Sequence, residues 1–367
     1  MKRKTIVAVA LLSILLTACA GREGQEVVSD STVSTLVVTE EITTTEDAIE
    51  TSDVTVPESV TVPDIKPLTV DDPYTFNVHV CPKKLYDAYG PEEWESFFNL
   101  CDALEAGEDS FECSSRDAYE WCFSGGPLSK YYPVARFYVT ADYINGYQNG
   151  IGHFTYDIPK EEFMQKQKDF EQLVVDILNE NVRKDYTDFE KCVALYEYMV
   201  TNYTYDYVQC ANNDVEIMNT LPKDSFGTYR TFRDKEGICD NLSAVYNFLL
   251  LQCGVEAVQF EGQNHAWTYV TIDGEGYFID PTWGLHSECF HDLDYFMMTE
   301  ADREPYFGDD MHPVMFYYEH KNKDVDFSAT DDKYAVLRGG DFVALDTENK
   351  ILYYDLYGEL KEFHYEA

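Results

Sequence analysis

Three residues in the C-terminal half have the types and settings for thiol chemistry. Cys239 stands in "GICDNLSAVYNFLLLQCG", Gly237 to Gly254. From Asp240 onward, Leu242, Val245, Tyr246, Leu249 and Leu250 recur at helical spacing, which predicts a helix with one apolar face. Gly254 suits the position just past its end. Cys239 then falls at the helix N-terminus, where unpaired backbone N–H groups and the helix dipole favour the thiolate, the nucleophilic form of cysteine. Gly237 leaves room for backbone or substrate to come close just before it.

A base and its orienter are offered by "NHAWTYVTIDGEGYFIDPTWG", Asn264 to Gly284. The chain alternates from His265 to Ile272, a strand pattern, turns at "DGEG", and returns from Tyr277 to Asp280. With Asp273 paired to Gly276, Asp280 falls opposite Tyr269, and His265 and Asp280 share one face of the hairpin. That register leaves them four residues apart, about 13 Å of rise. Twist or a bulge is needed to bring the side chains together. Trp267 and Trp283 are read first as core residues and second as walls of a site.

Other elements must hold these blocks in place. Phe189, Val193, Tyr196, Val200 and Tyr203 repeat at a 4-3-4-3 spacing, and Phe163, Phe170, Leu173, Val174, Ile177 and Leu178 mark an earlier helix. Upstream, "PEEWESFFNLCDALEAG" predicts a helix ending at Gly107. "YTFNVHV", "ARFYV" and "GHFTYDI" predict strands. Near the C-terminus "KYAVL", "DFVALD", "ILYYD" and "LKEFHY", separated by turn residues, predict a small β-meander.

The N-terminus reads as an address. Lys2, Arg3 and Lys4 precede an apolar run from Ile6 to Leu16, shorter than the roughly 20 residues needed to span a bilayer and typical of a secretory signal. "LTAC" then resembles the bacterial lipobox. The resemblance implies cleavage before Cys19 and a lipid on its thiol, so the membrane is a partner through that anchor. Losing the three basic residues takes the formal charge from −41 to about −44. So acidic a chain lacks the clustered Lys and Arg of nucleic-acid binders, which excludes nucleic acid as a partner. It would also be repelled by an anionic bilayer. Residues 20–66, rich in Thr, Ser, Glu, Asp and Val without a single aromatic, cannot offset the entropy of ordering and are expected to be a disordered tether with an r.m.s. span of about 40 Å. Beyond the signal of residues 1–19 and this tether, three segments are expected: a mixed α/β region over 67–158, a domain with the chemistry over 159–320, and C-terminal strands over 321–367.

The blocks around Cys239 and His265, the later "YFMMTEADREPYFGDDMH" and the helix "DFEKCVALYEYMVTNYTYDY" together resemble the bacterial transglutaminase-like superfamily, from roughly Thr187 to His312. The resemblance implies an α+β fold with a papain-like core and a catalytic triad in the order Cys239, His265, Asp280. The implied reaction is acyl transfer on protein or peptide amides, without a cofactor or a metal. Water as acceptor makes a peptidase or amidase; an amine makes a cross-link. The Cys239 N–H and an upstream side chain, Tyr203 or Tyr205, are implied as oxyanion donors. Asp240 and Asn241 depart from the family pattern of a small residue and Gly after the cysteine, which bears on substrate fit. The competing reading is a surface binding module with a degenerate core. "HSECFHD", with His286, Cys289 and His291, has no partner cluster and is read as a loop rather than a zinc site. No disulfide pairing or oligomeric state is assigned.

Overall fold

The structure is a computed structural model that describes residues 60–62, 72–212, 221–222, 224–286, 291–308, 311–314 and 325–366. The predicted signal, Cys19, most of the predicted tether and Cys289 lie outside the described residues.

The fold is α+β. Its first part carries helices α1 (Lys83–Tyr89), α2 (Pro91–Ala106), α3 (Arg116–Phe123) and α4 (Gly125–Tyr131), and the short strands β1 (Ser110–Glu112), β2 (Val139–Ala141), β3 (Tyr147–Gln148) and β4 (Ile151–Tyr156). Antiparallel β4 pairs with all three others. Trp94 of α2 is fully buried, edge-on to Trp121 of α3 at 5.1 Å and to Tyr131 of α4 at 5.2 Å. Burying each such ring removes apolar surface worth a few kcal/mol from water.

Two long helices follow, α5 (Lys160–Asn181) and α6 (Asp188–Asn202). Thr187 and Glu190 form a capping box at the start of α6. Then come β5 (Thr204–Tyr205), α7 (Tyr207–Ala211), α8 (Thr228–Asp234), β6 (Glu236–Gly237) and the central helix α9 (Cys239–Gln252). A sheet of β7 (Ala257–Gly262), β8 (His265–Ile272) and β9 (Glu275–Ile279) packs on α9, with α10 (Pro281–His286), α11 (Glu300–Phe307) and β10 (His312–Pro313) beside it. Helix α9 is buried almost all round because it lies between this sheet and helices α4, α6, α8 and α10. Its Phe248 meets Phe170 of α5 at 5.8 Å and Phe232 of α8 at 5.7 Å. Strands β11 (Gly340–Asp346), β12 (Ile351–Leu356) and β13 (Glu359–His364) form the meander expected at the C-terminus. One apolar core runs through all of these parts. Among the described residues no helix is long and apolar enough to cross a membrane.

Three predicted strands differ from the structure. "YTFNVHV" is extended and buries Tyr74 and Val80, but it pairs with no strand among the described residues. Its backbone is satisfied by side chains instead: Asn77 N–H donates to Gln252 Oε1 and Asn77 O accepts from Gln252 Nε2, both at 2.8 Å. "KYAVL" is a 3₁₀ turn over Ala335–Leu337, because Asp331 and Asp332 accept backbone N–H groups of Lys333 and Ala335 and close the chain locally. In "ARFYV" only Val139 enters a strand, since Pro133 starts a 3₁₀ turn through Ala135.

Candidate active site

Helix α9 begins at Cys239, as the apolar spacing predicts. The residue ahead of it, Ile238, has no side chain able to cap, so none claims the first-turn amides. The turn is held from outside. Ser243 Oγ donates to Cys239 O at 2.7 Å, and Gln259 Nε2 of β7 donates to Asp240 O at 2.8 Å and to Ser243 Oγ at 2.7 Å. Lys130, buried in α4, donates to Asp240 Oδ1 at 2.6 Å. Gln209 Nε2 of α7 donates to Asn241 Oδ1 at 3.2 Å. These contacts account for the unusual pair after the cysteine: Asp240 is the partner of a lysine from the N-terminal region, and Asn241 of α7. What comes close at Gly237 in the structure is a side chain rather than backbone. A Cβ there would lie 2.4 Å from Thr231 Oγ1, so α8 seats its Thr231 side chain against the bare glycine.

The hairpin carrying the other two residues is tighter than predicted. Ile272 pairs with Glu275 and Tyr269 with Phe278. The two-residue loop is therefore Asp273-Gly274, with φ of 54° and 92°. An Asp-Gly pair at two positive φ values is the sequence preference of a type I′ hairpin turn. The predicted Asp273–Gly276 pairing is corrected by it. Thr268 pairs with Ile279, so continuing the ladder places Asp280 beside Trp267 rather than Tyr269. His265 is then two residues away instead of four, about 7 Å of rise, a diagonal that side chains on one face can bridge without a bulge. The shift by two residues leaves the predicted shared face intact.

His265 Nε2 lies 2.7 Å from Asp280 Oδ2. The other ring nitrogen is left for Cys239, with which the imidazole also shares a hydrogen bond. Asp280 is wholly buried and follows β9 as the cap of α10: its Oδ1 accepts Trp283 N–H at 3.1 Å, and Pro281 takes the first helical position, where no N–H is needed. Burial works against the imidazolium of His265. The charge of Asp280 and the hydrogen bonds to Asp280 and Cys239 outweigh it and hold His265 up at about 9. Burial alone would raise Asp280, but the charges and hydrogen bonds of His265 and then Arg303 bring it down to about 2. At neutral pH the arrangement is a buried carboxylate, an imidazolium and a half-buried Cys239 at a helix N-terminus.

Arg303 is the residue sequence reading missed. It is fully buried, and its Nη1 donates to the same Asp280 Oδ2 at 2.9 Å. Its guanidinium lies over Trp267, Trp283 and Phe307 at 4.1, 4.5 and 4.6 Å. The same three rings flank His265, with Trp283 stacked at 5.0 Å and 11°. Trp267 is a core residue and the half-buried Trp283 a wall. Local patterning gives no signal for Arg303; a lone arginine within "TEADREPYF" reads as a solvated helical residue.

The two candidate oxyanion tyrosines part company. Tyr203 is buried with its ring 5.7 Å from Tyr198. Tyr205 is half-buried in β5, directly abreast of Gly237 in parallel β6. His286 ends α10 and His291 pairs with Glu197 at 2.5 Å, and no metal-binding cluster occurs among the described residues. The described cysteines are all free.

Residues 174–299 match the family described as "Transglutaminase-like domain". The chain carries a transglutaminase-like domain. The match starts within α5 and ends at Thr299, the cap of α11. No curated protein matches the chain. Among solved structures, one titled "Crystal structure of a TGase" is 20% identical over 34% of this chain and 34% of that one, with a TM-score of 0.27. Legionella pneumophila LapG, EGTA-treated, is 14% identical over 41% of this chain and 71% of that one, with a TM-score of 0.23. The chain thus spans about a third of the length of the TGase.

Proposed function

We propose that the protein is a thiol acyl-transfer enzyme acting on protein or peptide amides, with Cys239 as nucleophile, His265 as acid and base, and Asp280 as orienter. The observation that carries this is the continuous chain from Asp280 through His265 to a thiol at the uncapped start of α9.

The Cys239 thiolate attacks the amide carbonyl carbon, and the resulting oxyanion is met by the Cys239 N–H and by the Tyr205 hydroxyl, whose strand runs beside β6 and which turns from Cys210 Sγ, its acceptor at 3.5 Å in this structure. The imidazolium gives its proton to the departing amine as the C–N bond breaks, leaving a thioester. Water or a second amine, deprotonated by the imidazole, then attacks the thioester and restores the thiol. Asp280 keeps the proton on Nε2 and steadies the imidazolium. The reading extends to location: the basic, apolar and "LTAC" order of the first residues supports a lipid on Cys19 and a place outside the cytoplasmic membrane.

The test is the pH dependence of iodoacetamide alkylation at Cys239, read by mass spectrometry. Rapid alkylation at pH 6, slowed at least tenfold by His265→Ala, is the expected result. Alkylation that appears only near the ordinary thiol pKa of about 8.5 and ignores His265 would sink the enzyme reading and favour a binding module.

A further inference from the structure

We infer that Arg303 is a positioning residue of this site: by sharing the Asp280 carboxylate with His265, it keeps Asp280 ionised and in place and thereby sets the pH range over which Cys239 is reactive. The inference rests on the thiol-site reading above. It concerns a residue four positions beyond the matched family span.

The geometry leaves Arg303 little else to do. A fully buried guanidinium is costly unless paired, and among the described residues its one ionic partner is Asp280. Its Nε and Nη2 find no hydrogen-bond partner among the described residues. An arginine retained only to pin a helix would be expected to use more of its five donors. Here it gives one charged hydrogen bond to one oxygen and a long one from the same Nη1 to Met298 Sδ at 3.9 Å, and stacks on three aromatic rings. It is aimed by its own helix: Thr299 and Asp302 form a capping box that fixes the first turn of α11 one residue before Arg303, and Arg338 pairs with Asp302 at 3.2 Å behind it.

The Asp280 carboxylate accepts from three donors, His265 Nε2 and Arg303 Nη1 on Oδ2 and Trp283 N–H on Oδ1. Charge balance gives Arg303 its role. With Arg303 present, the buried carboxylate is neutralised whether the Cys239–His265 pair is thiol and imidazole or thiolate and imidazolium. Without it, a bare carboxylate faces the pair, and every neighbouring group holds its proton to higher pH. The aromatic slot supplies orientation: Trp267, Trp283 and Phe307 grip guanidinium and imidazole together, so the two donors cannot drift apart around Oδ2.

The experiment is the Cys239 alkylation profile of the full chain in wild type, His265→Ala, Arg303→Met, Arg303→Gln and Arg303→Lys, each with a thermal melt. The neutral variants fill the slot but carry no charge. They are expected to fold and to move the profile to higher pH by about one pH unit, tenfold slower alkylation at pH 6, since one pH unit is a factor of ten. Arg303→Lys, which keeps the charge, is expected to stay within threefold of wild type. A folded neutral variant with an unchanged profile overturns the inference while leaving the thiol site standing. So does failure of both neutral variants to fold, which would make Arg303 a structural pin. A wild-type profile that ignores His265→Ala removes the thiol-site reading and this inference with it.

Discussion

Asp280→Asn changes one atom, and the site shows why it should be expensive. All three neighbours of the carboxylate donate to it: His265 Nε2, Arg303 Nη1 and Trp283 N–H. An asparagine has one accepting end and one donating end, so whichever way it turns, an NH₂ meets a donor. If it faces His265, the imidazole relieves the clash by carrying its proton on the other nitrogen, the one that must accept from the thiol. The charge goes as well. His265 sits at about 9 because Asp280 outweighs burial; without the carboxylate, burial takes over and the value falls below the ordinary 6.5. That loss corresponds to about 3 kcal/mol, or more than a hundredfold in the equilibrium that moves the Cys239 proton onto the imidazole. In serine enzymes the comparable change costs about 10⁴ in rate. The assay is alkylation of Cys239 at pH 7 alongside an NMR titration of His265. The expected outcome is a slowing of a hundredfold or more with the His265 midpoint below 6.5. A folded variant whose His265 still titrates near 9, or whose alkylation is unchanged, would refute the claim that Asp280 governs this imidazole.

Three further outcomes follow from the same contacts. Lys130→Met leaves Asp240 without its buried partner; a stability loss of about 1–3 kcal/mol in urea unfolding and slower alkylation at pH 6 are expected, showing that the N-terminal region supports Cys239. Glu190, buried in α6, accepts from Lys350 Nζ at 2.9 Å and Tyr365 Oη at 2.5 Å; Glu190→Ala should cost about 2–3 kcal/mol and speed hydrogen exchange in β11–β13 first. Stability should depend on pH through the Asp280–His265 pair. His265 is raised by folding, so its contribution is complete below about 6.5 and lost as pH rises through about 9. Asp280 is lowered, so its contribution is complete above 3.8 and lost as pH falls through about 2. Glu171 and Glu197, both pushed up to about 7 by burial, cost stability as pH rises from about 4.5 to 7, mostly below the His265 window. The quantity to measure is therefore the difference between wild type and His265→Ala, which should shrink between pH 6.5 and 9.

What could be read from the sequence was whatever depends on local period and local chemistry. The start of α9 at Cys239 follows from apolar spacing, and the shared face of His265 and Asp280 follows from strand parity, which survives a register error of two residues. The register itself was also present: Asp273-Gly274 is a turn dipeptide, and reading it as the loop would have removed the 13 Å separation that seemed to demand a bulge. The strand predicted over Tyr74–Val80 fails for a different reason. Its alternation is real and appears as alternating burial, but a strand also needs a neighbouring edge, and the backbone there is met by the Gln252 amide. Arg303 lies at the far end of this scale. It is 23 residues from Asp280 and 36 from Trp267, and only the folding of α11 onto the hairpin turns it from a plausible surface charge into the second cation on a buried carboxylate. Parity can show that two residues of one hairpin face the same way. It cannot show a third residue arriving from another helix, and for that reason the charge balance around Asp280, unlike the placement of Cys239 and His265, had to come from the tertiary structure.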